Sequence, residues 1–273
     1  MARGIHGIRQ LPNQSGTTTW LLRRLRYFMH KTVVLSLVLV SSCATGAVAQ
    51  QPAKVRPTAA GLKQDIARVA AGIIGESDAF TDLMDATHRR LMAYLKTHEV
   101  SATAAKKLGL GYAESADANH LKVFTYSYSS GGTRGTVHQP ILQWKNATGQ
   151  LFAYSMNDDE CDFSEIHELA VPGRTLYLLL GGEQGNTQCY VHHARLVELK
   201  GNYLLLDNGA FNKKPALSLC NVEMKFDRAK QVLRLNLAEY STEHDEVLPA
   251  KWYRAGAKSL TLRFVNGRFV KGQ

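Results

Sequence analysis

A dense run of carboxylates is the segment whose residue types could do chemistry. The stretch NDDECDFSEIHE spans residues 157–168. Its functional groups are Asp158, Asp159, Glu160, Asp162, Glu165, His167 and Glu168. Hard cations such as calcium take about six to eight oxygen ligands, which a carboxylate-rich segment can supply. The composition of this segment therefore raises a calcium site as one hypothesis.

The spacing of the acidic stretch does not fit an EF-hand calcium loop. Counted from Asp158, the sixth position is Phe163 where glycine is needed, and the twelfth is Leu169 where glutamate is needed. We therefore expect a solvated loop between strands, with calcium binding as the alternative. The ligands of that alternative site would be Asp158, Asp159, Glu160 and Asp162.

The histidine spacing argues against zinc. His192 and His193 are adjacent in a predicted strand, so their side chains point to opposite faces and do not easily share one ion. Cys189 and His193 share a face but lie about 13 Å apart, at about 3.3 Å per residue. We interpret them as ordinary strand histidines.

The cysteines allow one disulfide if the chain is exported. Without Cys43, three cysteines remain, namely Cys161, Cys189 and Cys220. Exported proteins meet oxidising conditions, so one pair would form a disulfide and leave an odd thiol. We favour Cys189 with Cys220, because both lie in predicted strands that could be neighbours; three inert thiols are the alternative. No local motif marks one of these cysteines as an activated nucleophile.

Aromatic residues alternate along one predicted strand. Phe124, Tyr126 and Tyr128 share one face of residues 121–128, and Trp144 and Trp252 follow later. An exposed set of this kind would bind sugars or peptides, with Phe124, Tyr126, Tyr128 and Trp144 as its binding residues. Such alternation more often marks the buried face of a sheet, and we favour that interpretation.

The first 49 residues resemble an export signal. The stretch MHKTVVLSLVLVSSCATGAVAQQ, residues 29–51, has a basic start, a short apolar middle and a small-residue exit. Met29 then becomes the expected true start. We favour cleavage before Gln50, which would release a free protein. The alternative is cleavage before Cys43, within the lipobox-like sequence Val-Ser-Ser-Cys, which would leave an acylated cysteine at the N-terminus. We expect a periplasmic or secreted protein, or alternatively an outer-membrane lipoprotein.

The signal also explains the basic charge of the chain. The whole sequence carries 33 basic and 23 acidic residues, a net charge of +10. Six of the basic residues and none of the acidic ones lie in residues 1–49, so 27 and 23 remain, a net charge of +4. Nucleic-acid binding loses its main support, and a lipid at Cys43 would be the only link to a membrane.

Two amphipathic helices are predicted over residues 58–98. Apolar residues of the first follow a 3.6-residue period. They are Leu62, Ile66, Val69 and Ile73. Ser77 is the expected N-cap of the second helix, and residues 101–108 add a short third one. We expect the apolar faces of the pair to pack together or to cover a sheet.

After Asn119 the pattern changes to strands. Residues 176–180 form an apolar run too short for a helix, which predicts a central strand buried on both faces. Asn266-Gly267 near the end of the chain is a strong hairpin signal, because both residues tolerate positive φ. About ten strands without intervening helices predict antiparallel pairing.

The predicted fold class is mainly β (α+β). A helical hairpin would precede an antiparallel β-meander, sandwich or open curved sheet. The expected segments are a signal at 1–49, a linker at 50–57, a helical hairpin region at 58–110 and an antiparallel β-domain at 117–273.

One segment resembles a known group of sequences. The stretch DANHLKVFTYSYSSGGTRGTVHQPILQWKNATGQ, residues 117–150, is similar to a segment of uncharacterised exported bacterial envelope proteins, as is EIHELAVPGRTLYLLL, residues 165–180. This sequence departs from the pattern at Ala118, where glycine is expected, and at Tyr126-Ser127, where Trp-Asp is usual. The resemblance implies an envelope β-domain and supplies no catalytic residues.

These observations favour a non-enzymatic binding or structural β-domain of the cell envelope. Its partner would be an envelope polysaccharide, a peptide or a protein, and no cofactor is expected beyond calcium. The alternative is an extracytoplasmic hydrolase that uses the carboxylates of residues 157–168, with or without calcium. Glycoside hydrolysis needs two such groups on opposite sides of a cleft.

Overall fold

Three helices precede thirteen strands in the computed structural model, which describes residues 56–73, 77–116, 121–156, 159–206, 208–241 and 248–272. The helices are α1 (Ala59–Ala70), α2 (Asp78–Leu95) and α3 (Ala102–Leu108). The strands are β1 (Gly111–Glu114), β2 (Lys122–Ser129), β3 (Thr136–Lys145), β4 (Leu151–Ser155), β5 (Asp162–Val171), β6 (Arg174–Asn186), β7 (Cys189–Lys200), β8 (Tyr203–Leu205), β9 (Ala216–Cys220), β10 (Met224–Asp227), β11 (Val232–Asn236), β12 (Ser259–Val265) and β13 (Arg268–Lys271). All described residues belong to one unit, residues 54–273.

A hydroxyl side chain begins each helix. Thr58, Ser77 and Ser101 each accept a hydrogen bond from the backbone N–H three residues later, at 3.2, 3.2 and 3.3 Å. The predicted cap at Ser77 and the predicted third helix are therefore confirmed. Helix α3 ends at Gly109, whose φ of +84° is a left-handed conformation that glycine adopts at low cost.

The strands form three antiparallel sheets, which confirms the predicted mainly β class. Sheet A has the order β1-β2-β3-β4, and sheet C has the order β10-β11-β12-β13. Sheet B has the order β5-β6-β7-β8, with β9 also paired to β7. Strands that are consecutive in sequence are mostly neighbours, so most connections within the sheets are short hairpins.

The helices and sheets stack as layers. The helices cover one face of sheet A, where Phe124, Tyr126 and Tyr128 lie in the same apolar core as Leu62 and Leu91. The opposite face of sheet A packs on sheet B, and the far face of sheet B packs on sheet C. The helical pair thus covers a sheet, one of the two arrangements expected from its apolar faces.

Strand β6 lies at the centre of this stack. Leu176, Leu178 and Leu180 belong to the core between sheets B and C. Tyr177 and Leu179, on the other face, belong to the core between sheets A and B. The prediction of a strand buried on both faces is confirmed.

The acidic stretch folds differently from the expectation. Residues 157–168 were expected to be a loop, but β5 begins at Asp162 and continues to Val171. Phe163 and Leu169 are buried in the cores on either side of sheet B, which stabilises the strand. A bulge between Phe163 and Glu165 shifts the register, so the period-two pattern of a strand is interrupted in the sequence.

Short strands explain why thirteen strands are present where about ten were predicted. Strand β1 has only four residues and lies before the expected boundary at residue 117, too short for an alternation signal. The hairpin predicted at Asn266-Gly267 is confirmed, with φ of 49° and 83° at these two residues.

Two further findings concern the cysteines and the helices. Cys189 and Cys220 form a disulfide, the pairing favoured by the sequence, with their Cα atoms 5.3 Å apart. Among the described residues, no helix is both long enough and apolar enough to cross a membrane. Cys43, Met29 and both cleavage positions lie outside the described residues.

Burial on both faces of β6 predicts an unusual mutational pattern. Leu178 and Leu179 are adjacent, point to opposite faces and are both fully buried. Leu178→Ala and Leu179→Ala should each lower the free energy of unfolding by about 2–5 kcal/mol, because each leaves a cavity in a different core. Urea denaturation measures both.

Leu205→Ala is the control for these variants, because Leu205 is 40% exposed. It should change stability by less than about 1 kcal/mol. A large loss at only one of the two β6 positions would mean that sheet B has one solvent-facing side.

Candidate functional site

Carboxylates of the acidic stretch form ion pairs with arginines. The carboxylate of Asp159 lies 3.2 Å from Nη1 of Arg195, and the carboxylate of Glu160 pairs with Arg134. The described residues contain no group of three or more metal-ligating side chains. Asp158 lies outside the described residues, so the calcium hypothesis remains a prediction.

Arg134 joins two layers of the fold. It lies in the connection between β2 and β3 of sheet A, and its guanidinium pairs with Glu160 and with Glu183 of β6 in sheet B. We call the residues Arg134, Glu160, Glu183, His193 and Ser218 the polar seam. The seam thus joins polar side chains of sheet B to Arg134 in the β2–β3 connection of sheet A.

Three members of the polar seam form a hydrogen-bonded chain. Nε2 of His193 lies 3.2 Å from Oε1 of Glu183, and Nδ1 of His193 lies 2.9 Å from Oγ of Ser218. His193 in β7 and Ser218 in β9 are direct cross-strand partners, so the backbone register sets their contact. The side chains of Glu183 and His193 are 13% and 11% exposed.

The seam keeps Glu183 ionised. Burial by itself raises the pKa of Glu183, but the hydrogen bonds from His193 and Arg134 outweigh it, so the pKa lies below its ordinary value. An ionised carboxylate only accepts hydrogen bonds, so His193 must donate from Nε2. In the neutral ring, Nδ1 is then an acceptor for the hydroxyl of Ser218.

A second serine–histidine pair faces the same seam. Oγ of Ser127 lies 2.9 Å from Nδ1 of His138, across β2 and β3. Burial lowers the pKa of His138 below its ordinary value. None of the hydrogen bonds described for this ring joins its other nitrogen to a carboxylate, in contrast to His193.

The third cysteine is a buried, unreactive thiol. Cys161 is a free, fully buried thiol in the core between sheets A and B. Burial raises its pKa strongly, with smaller contributions from Glu183 and Asp162. The thiol therefore stays protonated near neutral pH and is a poor nucleophile.

The four predicted aromatic binding residues do not share one exposed surface. Phe124, Tyr126 and Tyr128 are buried against the helices, as the favoured interpretation of the strand pattern expected. Trp144 lies on the opposite face of sheet A, 3% exposed and stacked on Phe152. An aromatic platform for sugars is incompatible with this burial, because ligand access would require the layers to separate.

A basic pocket lies at the far side of the stack, next to sheet C. Its volume is about 550 Å³. The cationic side chains that line it are Lys213, Lys251, Arg268 and Lys271. No acidic side chain lines it in the part of the chain that the structure describes. We call this cavity the basic pocket.

The floor of the basic pocket is apolar and firmly packed. Trp252 and Phe269 line it and are 4% and 2% exposed. The ring of Phe269 stacks on Phe211 with centroids 4.8 Å apart. The backbone N–H of Phe269 donates to the carbonyl of Ala210 at 2.9 Å, which joins the loop wall of the pocket to β13.

The loop wall, residues 208–214, is fixed by its own hydrogen bonds. Asn208 donates from Nδ2 to the carbonyl of Leu196 in β7 at 2.8 Å. The N–H of Lys213 donates to the carbonyl of Gly209 at 3.1 Å. Lys213 has a φ of 75°, a left-handed conformation that is uncommon for a side-chain-bearing residue. The structure therefore holds the lysine in place at some conformational cost.

Comparison with protein families, curated proteins and solved structures finds no match for this chain. Functional inference therefore depends on the geometry of the polar seam and the basic pocket. Neither site was predicted from the sequence. The four cations of the pocket are spread over residues 213–271, so no local motif unites them, and the seam draws on both sheets A and B.

The lowered pKa of Glu183 predicts a dependence of stability on pH. The contribution of ionised Glu183 to the free energy of unfolding is complete above the ordinary pKa of 4.5. It is lost as pH falls through the lower pKa of the folded state. Glu183→Gln removes this titration, so the loss of unfolding free energy between about pH 5 and pH 2 should be smaller than in the unchanged protein. Urea denaturation at a series of pH values measures it.

Arg134→Gln is the matched variant, because it leaves Glu183 ionisable but removes a hydrogen bond that lowers its pKa. The Arg134→Gln variant should therefore also lose less unfolding free energy than the unchanged protein as pH falls. Identical pH profiles for all three proteins would contradict the assigned electrostatics.

Proposed function

We propose that this chain is an exported β-rich binding domain that holds an anionic polysaccharide of the cell envelope in the basic pocket. The observation that supports the proposal is the pocket lined by four cations over a buried apolar floor. The binding role needs no catalytic step. Of the three expected partners, a polysaccharide, a peptide or a protein, the proposal selects an anionic polysaccharide.

The charges of the pocket favour an anionic ligand. The four cationic side chains of the basic pocket line one cavity, and an anion bound there would offset their charge. Carboxylate, sulfate or phosphate groups on a polysaccharide would supply that charge. Other exposed lysines of sheet C are differently placed, since Lys225 pairs with Glu223 and Lys230 with Asp227.

The pocket also offers apolar surface to a ligand. Binding pockets usually combine apolar walls with a few placed polar groups. Val270 lines the pocket and is 43% exposed, whereas Trp252 and Phe269 are buried and support the pocket from beneath. A sugar ring can pack on Val270 while its anionic substituents meet Lys213 and Arg268.

Export supports an envelope partner. The signal-like residues 29–51 and the disulfide between Cys189 and Cys220 are both compatible with an oxidising compartment outside the cytoplasm. The intact mass of the exported protein distinguishes cleavage before Gln50 from cleavage before Cys43. A chain that begins at Gln50 without acyl mass is the free form, and an acylated Cys43 is the lipoprotein.

Binding of dextran sulfate tests the proposal, with neutral dextran as the reference ligand. We expect the unchanged protein to bind only dextran sulfate in isothermal titration calorimetry, more weakly as salt is raised. The double variant Lys213→Ala, Arg268→Ala should lose at least about tenfold in affinity, which corresponds to about 1.4 kcal/mol.

Lys225→Ala with Lys230→Ala is the matched control, because it removes the same charge from sheet C outside the pocket. This control should retain the affinity of the unchanged protein. Equal losses in both double variants would show that binding follows net charge and would contradict the pocket. Duplex DNA is a further ligand to test. If the protein binds it as tightly as dextran sulfate and the pocket variant loses both affinities, the polysaccharide assignment is contradicted.

A further inference from the structure

Ser218 stands in a hydrogen-bonded chain that could activate it. The chain runs from Oγ of Ser218 to Nδ1 of His193 at 2.9 Å, and from Nε2 of His193 to Glu183 at 3.2 Å. A serine is a weak nucleophile until an adjacent base takes its proton, and a carboxylate on the far side of the base orients that base. We propose that Ser218 is an activated nucleophile that accepts an acyl group from esters, an activity that goes beyond the binding function proposed above.

The tautomer of His193 is the first argument. Because Glu183 only accepts, the proton of the neutral imidazole is on Nε2 and the lone pair of Nδ1 is directed to Ser218. The ring is therefore prepared to take the hydroxyl proton. Arg134 pairs with the other oxygen of Glu183 and holds the carboxylate in position, so we assign Arg134 as a positioning residue.

The backbone framework is the second argument. Glu183, His193 and Ser218 are on three adjacent strands of one sheet, β6, β7 and β9. Sites built on regular strands are held more accurately than sites on loops. The disulfide between Cys189 and Cys220 joins the same two strands, β7 and β9, that carry His193 and Ser218.

Access is the third argument. Ser218 is partly exposed, in contrast to its neighbours Leu217 and Leu219, which are buried against sheet C. The residue therefore lies on the face of β9 away from sheet C, and part of its surface is open to solvent.

The reaction balances without a cofactor. Oγ of Ser218 attacks the ester carbonyl while its proton passes to Nδ1 of His193, and the imidazolium is stabilised by the negative charge of Glu183. The carbon–oxygen bond to the alcohol breaks, and the alcohol leaves with the proton from Nδ1. Water then attacks the acyl-serine, gives a proton to His193 and releases the carboxylic acid, and the proton returns to Ser218.

The chain contains its own reference serine. Ser127 meets Nδ1 of His138 at the same distance of 2.9 Å, but no hydrogen bond described for that ring joins it to a carboxylate. The two serines share the protein, the solvent and the probe. A comparison between them therefore tests whether the serine–histidine pair that is linked to a carboxylate is the more reactive one.

A fluorophosphonate probe tests the proposal on the unchanged protein. Oγ attacks phosphorus, fluoride leaves, and the serine proton passes to His193, so labelling follows the same first step. Peptide mass spectrometry at increasing times should show labelling of Ser218 at least about tenfold faster than that of Ser127, in line with general-base catalysis. Equal rates at the two serines, or no labelling of Ser218, would overturn the proposal.

Two variants separate activation from mere exposure. His193→Gln should abolish the labelling of Ser218, and Glu183→Gln should slow it, while Ser127→Ala should leave it unchanged. Undiminished labelling in His193→Gln would show that Ser218 is only accessible and would overturn the proposal. The double variant Lys213→Ala, Arg268→Ala should not affect the labelling of Ser218. The proposal for Ser218 and the proposed binding function can therefore fail independently of each other.

Discussion

Burial of β6 on both faces is the constraint on which the rest of the structure depends. An apolar strand of this kind needs a cover on each side, since exposing either face costs about 25 cal/mol for each Å² of apolar surface. Sheet A covers one face and sheet C covers the other. Sheet A in turn exposes Phe124, Tyr126 and Tyr128, which the helices cover. One apolar strand thus accounts for the order of all four layers.

The same stacking determines where charges can lie. Between layers, a charge is stable only when it is paired, because desolvation penalises an isolated ion. Lys122 shows this, with its side chain 6% exposed and its Nζ 3.2 Å from Glu99 and 3.5 Å from Glu114. The polar seam meets the same requirement through Arg134 and Glu183. The cations of the basic pocket differ, since they are exposed at the surface.

Local patterns made part of this structure predictable. The 3.6-residue stripes predicted the helices, except that Ile73 of the first stripe lies beyond the end of α1 and is 41% exposed. The apolar run at 176–180 predicted the central strand, and Asn266-Gly267 predicted the last hairpin. Strand β5 was missed, because its bulge breaks the alternation that a strand normally shows. The candidate sites were missed for a different reason. Contact between Glu183 and Arg134 depends on how two sheets stack, which no spacing within the chain encodes.

Native-state hydrogen exchange tests the central claim most directly, since it reports the free energy at which each strand opens. If β6 organises the stack, amides of residues 176–180 should exchange only through global unfolding, with the free energy found by urea denaturation. Amides of the edge strand β13 should exchange at a lower free energy. Exchange of residues 176–180 as fast as that of β13 would contradict the account.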